Sequence, residues 1–484
     1  MKKRILCFLA LVLFVSGLAQ AQSRSLSDDP QVSNALKLIK IWVDTQLAYE
    51  DIPGMSMGVV HDQNLVWSHG FGYAHVEGKI PASPSTIYSI CSISKLFTSI
   101  SIMQLRDQGK LSLDDPLSKH LSWFKIKDAY PDAPEITLRG ILTHSSGLPR
   151  EADYPYWTGP EHNFPTREQI IERLSSQEEL YPAETYFQYS NLGLTLAGEV
   201  VAAVSGQPYA EYVKQNILEP LGLKDTSPEI PAEHKGGRLA TGYSRRLRDG
   251  SRKVIPFFLV NGIAPAAGFA STVEDLARFA SWQLRLLEKA GKEIIAANTL
   301  KEMHRVHWMD PDWNTTWGLG FSVSRRDGKT YVGHGGSCPG YRTQLSICPK
   351  DKIAVIVMTN ASDVSPASYA RQIHDIITPA LKKAIKEPDK AKKADKELEK
   401  FVGRYDRPLG SETHVIIWEG QLAMVSFPTD NPLRSLTKLK HIEKNIFRRV
   451  RSDDNLGEKI IFEIGEDGKV TRMIRNSNYA IRVR

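Results

Sequence analysis

The residues best placed to act on an acyl group are Ser92 and Lys95, three positions apart in the segment Ser92-Ile93-Ser94-Lys95. On a helix, positions i and i+3 lie on the same face, so this spacing places a hydroxyl beside an amine. A serine hydroxyl is a poor nucleophile until a base removes its proton. Lysine can be that base only where burial or nearby positive charge lowers its pKa. The pair therefore predicts a serine nucleophile activated by a lysine, provided that a helix begins there.

The spacing alone carries little weight, because Ser435 and Lys438 repeat it in a region without helical periodicity. Two further motifs distinguish the first pair from this second one. Tyr189-Ser190-Asn191 follows Ser92 in the middle of the chain, and His334-Gly335-Gly336 follows later. A hydroxyl, an amide and an imidazole are groups that can move protons or hold a substrate.

The elements that must position these motifs follow from the spacing of apolar residues. A helix is predicted from residue 32 to residue 47, then a hairpin from runs 55–60 and 65–67, then a second helix that carries Lys95 and ends near Gly109. The chain is mainly helical from there to about residue 300, including a helix that Ser271 and Glu274 would begin as a capping box.

Strand character returns between residues 316 and 359, and a helix follows to about residue 386. Strands from both ends would therefore enclose a helical middle. We expect an α/β (α+β) fold, in which an antiparallel sheet is flanked by helices and carries an inserted helical unit. Alternating runs after residue 398 predict a small all-β domain with a sheet curled on itself.

The expected organisation has four parts. Residues 1–21 have a basic start, an apolar run and a small-residue end at Ala19-Gln20-Ala21, which is typical of a secretory signal peptide. Residues 22–386 form the hydrolase domain, residues 387–397 a charged linker, and residues 398–484 the all-β domain. The expected location is periplasmic or secreted, and no segment after the signal is long enough to span a membrane.

The three motifs and their order resemble those of the serine β-lactamase and penicillin-binding superfamily, in particular its class C β-lactamase-like branch. That branch includes D-alanyl-D-alanine carboxypeptidases, D-aminopeptidases and esterases. The resemblance runs from about Ile52 to about Leu381. Further segments that match the family are residues 136–149, 189–193, 220–223, 268–272 and 317–321.

The resemblance implies roles for individual residues. Ser92 would be the acylated nucleophile, Lys95 its proton-accepting partner, and Tyr189 the group that protonates the leaving group and helps activate the deacylating water. Which of Lys95 and Tyr189 is the base in each step is left open. Asn191 would bind the substrate's amide, and the backbone N–H groups of Ser92 and Ser337 would form the oxyanion hole.

The third motif departs from the β-lactamase form Lys-Thr-Gly, because His334-Gly335-Gly336 stands in its place. Gly335 lacks the hydroxyl that could bind a substrate carboxylate, while Gly336 keeps the last residue of the motif. His334 would donate a hydrogen bond near Tyr189, with a charge that depends on pH near neutrality. We therefore expect a serine hydrolase of small peptide-like amides or esters, similar to a D-aminopeptidase or D,D-carboxypeptidase. The alternatives are a β-lactamase, an esterase, or a penicillin-binding sensor that deacylates slowly.

Composition and charge limit the classes of molecule that the protein is expected to bind. The formal charge of +7 includes Lys2, Lys3 and Arg4, and the remaining basic residues are mixed with acids, which argues against nucleic-acid binding. The expected partner is a small-molecule or peptide substrate, with cell-wall peptides as one candidate. The spacing of Cys and His residues does not predict a metal site, so no cofactor is expected. Cys91, Cys338 and Cys348 are expected to be free thiols.

Three competing interpretations stay in view. An α/β-hydrolase is disfavoured because the chain has no Gly-x-Ser-x-Gly motif. A protein that only captures ligands is disfavoured because all three motifs keep reactive residue types. The β tail could instead bind the cell wall, gate the site or mediate self-association. His144, inside the segment 136–149, is expected to be a structural turn residue rather than a catalytic one.

Overall fold

The computed structural model describes residues 25–387, 396–407 and 410–483. The predicted signal peptide, residues 1–21, and most of the predicted linker, residues 387–397, lie outside the described residues. Within the described part, no helix is both long enough and apolar enough to cross a bilayer.

The N-terminal part contains a large antiparallel sheet. The strands of this part are β1 Gly54–His61, β2 Asn64–His75, β3 Ile80–Pro81, β4 Tyr88–Ser89, β5 Ala270–Ser271, β6 Trp308–Met309, β7 Thr316–Trp317, β8 Ser322–Arg326, β9 Lys329–Cys338, β10 Tyr341–Cys348 and β11 Ile353–Thr359. Strands β4 and β5 pair with each other in a separate two-stranded sheet, and the other nine form the large sheet. The order across the nine-stranded sheet is β3-β2-β1-β11-β10-β9-β8-β7-β6 among the described residues. Strands from the two ends of the domain therefore meet where β1 pairs with β11.

Helices cover both faces of this sheet and fill the region between its two halves. They are α1 Pro30–Glu50, α2 Ser94–Asp107, α3 Leu117–His120, α4 Leu138–Thr143, α5 Arg167–Leu174, α6 Asn191–Ser205, α7 Tyr209–Val213, α8 Glu219–Leu221, α9 Ala264–Ala267, α10 Val273–Lys289, α11 Ala297–Met303 and α12 Pro366–Lys386. The next helix in the chain, α13 Lys396–Glu399, belongs instead to the C-terminal part, on whose core Leu398 packs. The predicted sheet with flanking helices and an inserted helical unit is confirmed.

Strand β11 is apolar at every position but its last, Thr359, because both of its faces are covered. Ile353, Val355 and Val357 pack on one face of the sheet with α1 and α12, while Ala354, Ile356 and Met358 pack on the other with α2 and α10. Because side chains of a strand alternate between faces, a strand covered on both sides is apolar at nearly every position.

The C-terminal part is a closed barrel, which confirms the predicted small all-β domain with a curled sheet. Its elements are β12 Gly403–Asp406, β13 Glu412–Trp418, β14 Gln421–Phe427, α14 Pro432–Ser435, β15 Leu436–Glu443, β16 Ile446–Val450, β17 Leu456–Ile464, β18 Val470–Arg475 and β19 Asn478–Val483. Phe401, Phe447 and Phe462 fill its interior. Its outer face packs on the hydrolase domain, where the Trp42 indole N–H donates to Thr429 O at 2.8 Å.

One predicted helix start is wrong by one residue. Helix α10 is capped by Thr272, whose Oγ1 accepts from the N–H of Asp275 at 3.2 Å. Ser271 instead ends strand β5, and its hydroxyl pairs with that of Thr226 at 2.8 Å. Thr272 has the extended backbone that an N-cap needs, whereas the Ser271 hydroxyl is already engaged by Thr226.

Candidate active site

Ser92 lies in a 3₁₀ turn, Cys91–Ile93, that runs directly into helix α2. The turn is fixed from two sides. Ser94 Oγ accepts from the N–H of Phe269 at 3.0 Å and donates to Cys91 O. Thr343 Oγ1, on β10, donates to Ile90 O at 3.1 Å. The hydroxyl of Ser92 is thus presented at the start of a helix, as the sequence predicted.

Lys95 lies beneath Ser92 and is fully buried. Its Nζ is 3.1 Å from Ser92 Oγ, 2.7 Å from Asn191 Oδ1 and 2.8 Å from Ala266 O. Burial lowers the pKa of Lys95 to about 7, although the negative charge of Glu151 opposes that change. A neutral amine has two N–H donors and one lone pair. Because Asn191 and Ala266 offer only acceptors, they take the two donors, and the lone pair is left for the Ser92 hydroxyl.

Tyr189 precedes helix α6, and its neighbour Ser190 fixes the start of that helix. Ser190 Oγ accepts from the N–H of Gly193 at 2.8 Å and donates to Pro149 O at 2.7 Å. Burial raises the pKa of the Tyr189 hydroxyl, and a hydrogen bond with Ser92 opposes the rise in part. Tyr189 is therefore a neutral hydroxyl near pH 7 that can pass a proton on but does not start as a phenolate.

His334 lies on β9 and is almost fully buried. Burial lowers the pKa of His334 to about 3, and the charge of Lys95 acts in the same direction. The expected charge change near neutrality is therefore wrong, because a desolvated imidazole stays neutral there. His334 Nδ1 lies 2.6 Å from Gly335 O, an acceptor, so Nδ1 carries the proton.

This tautomer also changes the expected hydrogen bond. With the proton on Nδ1, His334 Nε2 is an acceptor rather than the donor that the resemblance implied. Among the described residues Nε2 has no partner, and the His334 ring centroid is 6.2 Å from that of Tyr189. In this site His334 offers a lone pair, not a proton.

These residues meet at a cavity of about 840 Å³. Of the predicted site residues, the cavity wall includes Ser92, Tyr189, Asn191, His334, Gly335, Gly336 and Ser337. Lys95 lies just below it, in contact with Ser92. The described wall residues all lie between Ser92 and Ala367, so the barrel contributes none of them.

The wall also contains Arg150, Glu151 and Trp157, which sequence reasoning did not single out as site residues. Both carboxylate oxygens of Glu151 accept from Asn191 Nδ2 at 2.9 Å. The Asn191 amide is therefore contacted at both ends, by Lys95 at its oxygen and by Glu151 at its nitrogen. The available signal was the position of Arg150 and Glu151 directly after the matched segment 136–149.

The three described cysteines, Cys91, Cys338 and Cys348, are free and buried. Burial raises the pKa of the Cys91 thiol well above its ordinary value, and the neighbouring Cys338 adds to this. A thiol of this kind is a poor nucleophile beside Ser92.

Two family models match the chain. The Beta-lactamase family matches residues 41–377, and a domain of unknown function (DUF3471) matches residues 387–482. Beta-lactamase-like protein 2 of Dictyostelium discoideum is 26% identical over 451 residues, which cover 88% of this chain and 81% of the relative. Putative beta-lactamase-like 1 of Homo sapiens is 26% identical over 377 residues, which cover 74% and 71%.

Solved structures share the fold. The octameric penicillin-binding protein homologue from Pyrococcus abyssi superposes with a TM-score of 0.63 at 27% identity, covering 92% of this chain and all of that one (100%). A beta-lactamase/D-alanine carboxypeptidase from Yersinia pestis gives a TM-score of 0.59 at 21% identity, covering 72% and 98%. A D-stereospecific amidohydrolase from Streptomyces sp. gives 0.57 at 21% identity, covering 71% and 98%.

The family match covers well over half of the chain, and the antiparallel sheet with its flanking helices agrees with it. The chain belongs to the β-lactamase family of serine hydrolases.

Proposed function

We propose that this chain is an exported serine hydrolase that cleaves small peptide-like amides or esters through an acyl-enzyme on Ser92. One observation carries the proposal: a fully buried Lys95, with its pKa lowered to about 7, has its amine 3.1 Å from Ser92 Oγ. A neutral amine at this position can accept the serine proton near neutral pH.

In the acylation step, the proton of Ser92 moves to Lys95 Nζ while Oγ forms a bond to the substrate's carbonyl carbon. The carbonyl oxygen becomes an oxyanion, which the backbone N–H groups of Ser92 and Ser337 stabilise. The bond to the leaving amine or alcohol then breaks. Tyr189 gives its proton to that group and regains one from Lys95, so that both side chains return to their starting states.

In the deacylation step, water attacks the acyl carbon and its proton moves to Lys95, either directly or through Tyr189, which takes the water proton as it gives its own proton to Lys95. The ester bond to Ser92 Oγ breaks, and Oγ recovers a proton from the same pair. Each turnover consumes one water and releases an acid and an amine or alcohol, with no net proton left on the enzyme.

Three observations support peptide-like substrates over β-lactams. Gly335 places no hydroxyl beside Ser92, whereas the Lys-Thr-Gly form has one there. The cavity of about 840 Å³ is large enough for a short peptide. The related structure named as a D-stereospecific amidohydrolase supports a substrate with a D-residue, whereas the one named as a beta-lactamase/D-alanine carboxypeptidase supports a D-residue and a β-lactam equally. Export is supported by the basic start and apolar run of residues 1–21.

The test uses the chain's own repeat of the Ser-x-x-Lys spacing as a matched control. Ser435 Oγ donates to Ser426 O at 2.8 Å, whereas Lys438 Nζ contacts Glu419. The hydroxyl and the amine of this second pair therefore have different partners. Ser92→Ala and Ser435→Ala are compared with the unaltered protein on D-amino acid amides, p-nitrophenyl esters and a fluorescent penicillin, with intact mass read in parallel.

We expect Ser92→Ala to lose roughly 10³-fold or more in kcat and to form no adduct, and Ser435→Ala to match the unaltered protein. Turnover of amides would identify a peptidase, and turnover of esters alone an esterase. A stable penicillin adduct without turnover would favour the slowly deacylating receptor. Full activity in Ser92→Ala would refute the proposal.

A further inference from the structure

Glu151 is placed where it can control the catalytic lysine without touching it. Its carboxylate lies in the wall of the cavity, and its side chain is 23% exposed. Both oxygens accept from Asn191 Nδ2 at 2.9 Å, Oε2 also accepts from the Tyr156 hydroxyl, and Oε1 is 3.1 Å from Arg150 Nε. The carboxylate is thus held on three sides.

An ionised carboxylate can only accept hydrogen bonds. The NH₂ group of Asn191 must therefore face Glu151, which turns Asn191 Oδ1 toward Lys95 Nζ at 2.7 Å. We propose that Glu151 is a positioning residue: it fixes the orientation of the Asn191 amide and, through it, the Lys95 amine opposite Ser92. This inference rests on the proposed function of Ser92 and Lys95.

The reversed amide would misdirect the lysine. If Asn191 turned over, its N–H groups would face Nζ and would occupy the lone pair that should accept the Ser92 proton. The charged form of Lys95 would also lose an acceptor. Glu151 therefore keeps the lone pair of the neutral amine available for Ser92.

Glu151 also acts through its charge. Its negative charge raises the pKa of Lys95 against the lowering effect of burial. Removing that charge, or reversing the Asn191 amide, destabilises the charged lysine, so both changes lower its pKa. The other titratable and charged groups around Lys95 are Arg150, Tyr189, His144, His334, Cys91 and Cys338, and of these Arg150 also pairs with Glu151.

The experiment measures kcat and KM from pH 5 to 9 for the full chain and three variants, on the substrate that shows Ser92-dependent turnover. Glu151→Gln keeps the size of the side chain but can donate as well as accept. Glu151→Asp keeps the charge but is shorter. Asp153→Asn is the matched control, because Asp153 lies on the same loop, is 67% exposed and is 3.9 Å from Arg173.

We expect Glu151→Gln to lower the plateau kcat by about 10-fold, because the base is displaced, with little change in KM. The acid limb of its profile should move to lower pH, a change that a purely structural role would not produce. Glu151→Asp should have a lower kcat, but the acid limb of its pH profile should lie at the same pH as in the unaltered protein. Asp153→Asn should match the unaltered protein in both respects.

An unchanged limb and plateau in Glu151→Gln would overturn the inference while leaving Ser92 and Lys95 in place. If Glu151→Gln does not fold, as thermal unfolding would show, Glu151→Asp decides: full kcat in that variant would refute a positioning role. Full activity in Ser92→Ala would instead refute the proposed function itself, so the two failures are distinguishable.

Discussion

The ring of His144 lies 4.2 Å from the ring of Tyr189, centroid to centroid. His144 is at the C-cap of α4, in the left-handed conformation with φ of 59°, and its Nδ1 accepts from the N–H of Ser190 at 3.1 Å. The expected turn residue is therefore also a support for the Tyr189 side chain. One histidine fixes both the backbone and the ring of the second motif.

Replacing this support should slow the reaction without removing its chemistry. His144→Asn keeps a residue that tolerates the left-handed conformation but removes the ring beside Tyr189. We expect kcat to fall by roughly 10-fold while KM changes little, because the phenol is less well held. Steady-state kinetics on the Ser92-dependent substrate would measure this.

His162→Asn is the matched control, since His162 is also buried and left-handed, with φ of 48°, but packs on Phe258. A loss of kcat as large in His162→Asn would show that any such exchange disturbs the domain, and the support role of His144 would fall.

The pH profile should report Lys95 rather than His334. With the pKa of Lys95 lowered to about 7, kcat/KM should rise as pH increases through about 7, where the amine becomes neutral. His334 is already neutral there, because burial lowers its pKa to about 3. His334→Gln should therefore lower the plateau but leave the midpoint of the acid limb unchanged. A limb that disappears or moves in this variant would assign the titration to the histidine.

Burial of Lys95 should also be visible in the stability of the fold. Its folded pKa, about 7, lies below the ordinary 10.5, so between these values the unfolded chain binds a proton that the folded chain lacks. Stability therefore rises with pH across this window, by up to about 1.4 kcal/mol per pH unit. Below about pH 7 both states are protonated and the full cost of burial is present.

Lys95→Met removes this titration and serves as the reference. The free energy of unfolding, measured by denaturant at pH 7.5, 8.5 and 9.5, should rise more steeply in the unaltered protein than in Lys95→Met. Parallel dependences would mean that Lys95 keeps an ordinary pKa in the fold, and the lysine base would lose its physical support.

The two glycines of the third motif should respond differently to an added methyl group. A Cβ on Gly336 would lie 2.2 Å from Ile90 O and 2.1 Å from Thr343 Oγ1, so β9 would have to move away from the turn that holds Ser92. A Cβ on Gly335 would meet only the end of the Gln344 side chain, at 3.1 Å, and Thr343 O at 3.7 Å.

We therefore expect Gly336→Ala to lose roughly 100-fold in kcat/KM and Gly335→Ala to stay within a few-fold of the unaltered protein. Acyl-enzyme formation followed by intact mass gives the same comparison independently. Equal tolerance at both positions would contradict the close approach of β9 to Ile90.

The sequence predicted contacts between residues that lie close together along the chain. Ser92 and Lys95 meet because they are one helical turn apart, and the second Ser-x-x-Lys pair does not, because α14 ends at Ser435 and a strand follows. The order of the three motifs was enough to choose between them. The strand character of residues 316–359 likewise predicted β7 to β11, all of which lie in that range.

Other features depend on distances and burial that spacing does not encode. Glu151 contacts Asn191 across 40 positions of sequence, and Glu151 itself lies in a loop with no periodic pattern. His334 is neutral because it is buried. The residues next to it in the sequence are glycines, and these do not predict that the position is buried. Asn191 contacts Lys95 through its oxygen and Glu151 through its nitrogen, and neither contact follows from the spacing of the second motif.

The central pairing of the sheet sets the time at which a newly made chain could become reactive. Met55 on β1 pairs with Thr359 on β11, so the sheet closes only after nearly the whole domain has been synthesised. Such distant pairing folds slowly, because a long loop must be ordered before any contact rewards it. A nascent chain that already contains Ser92 and Lys95 still lacks the strand that carries His334. Ser92 is therefore made early, but the site around it is complete only after β9 and β11 have joined the sheet.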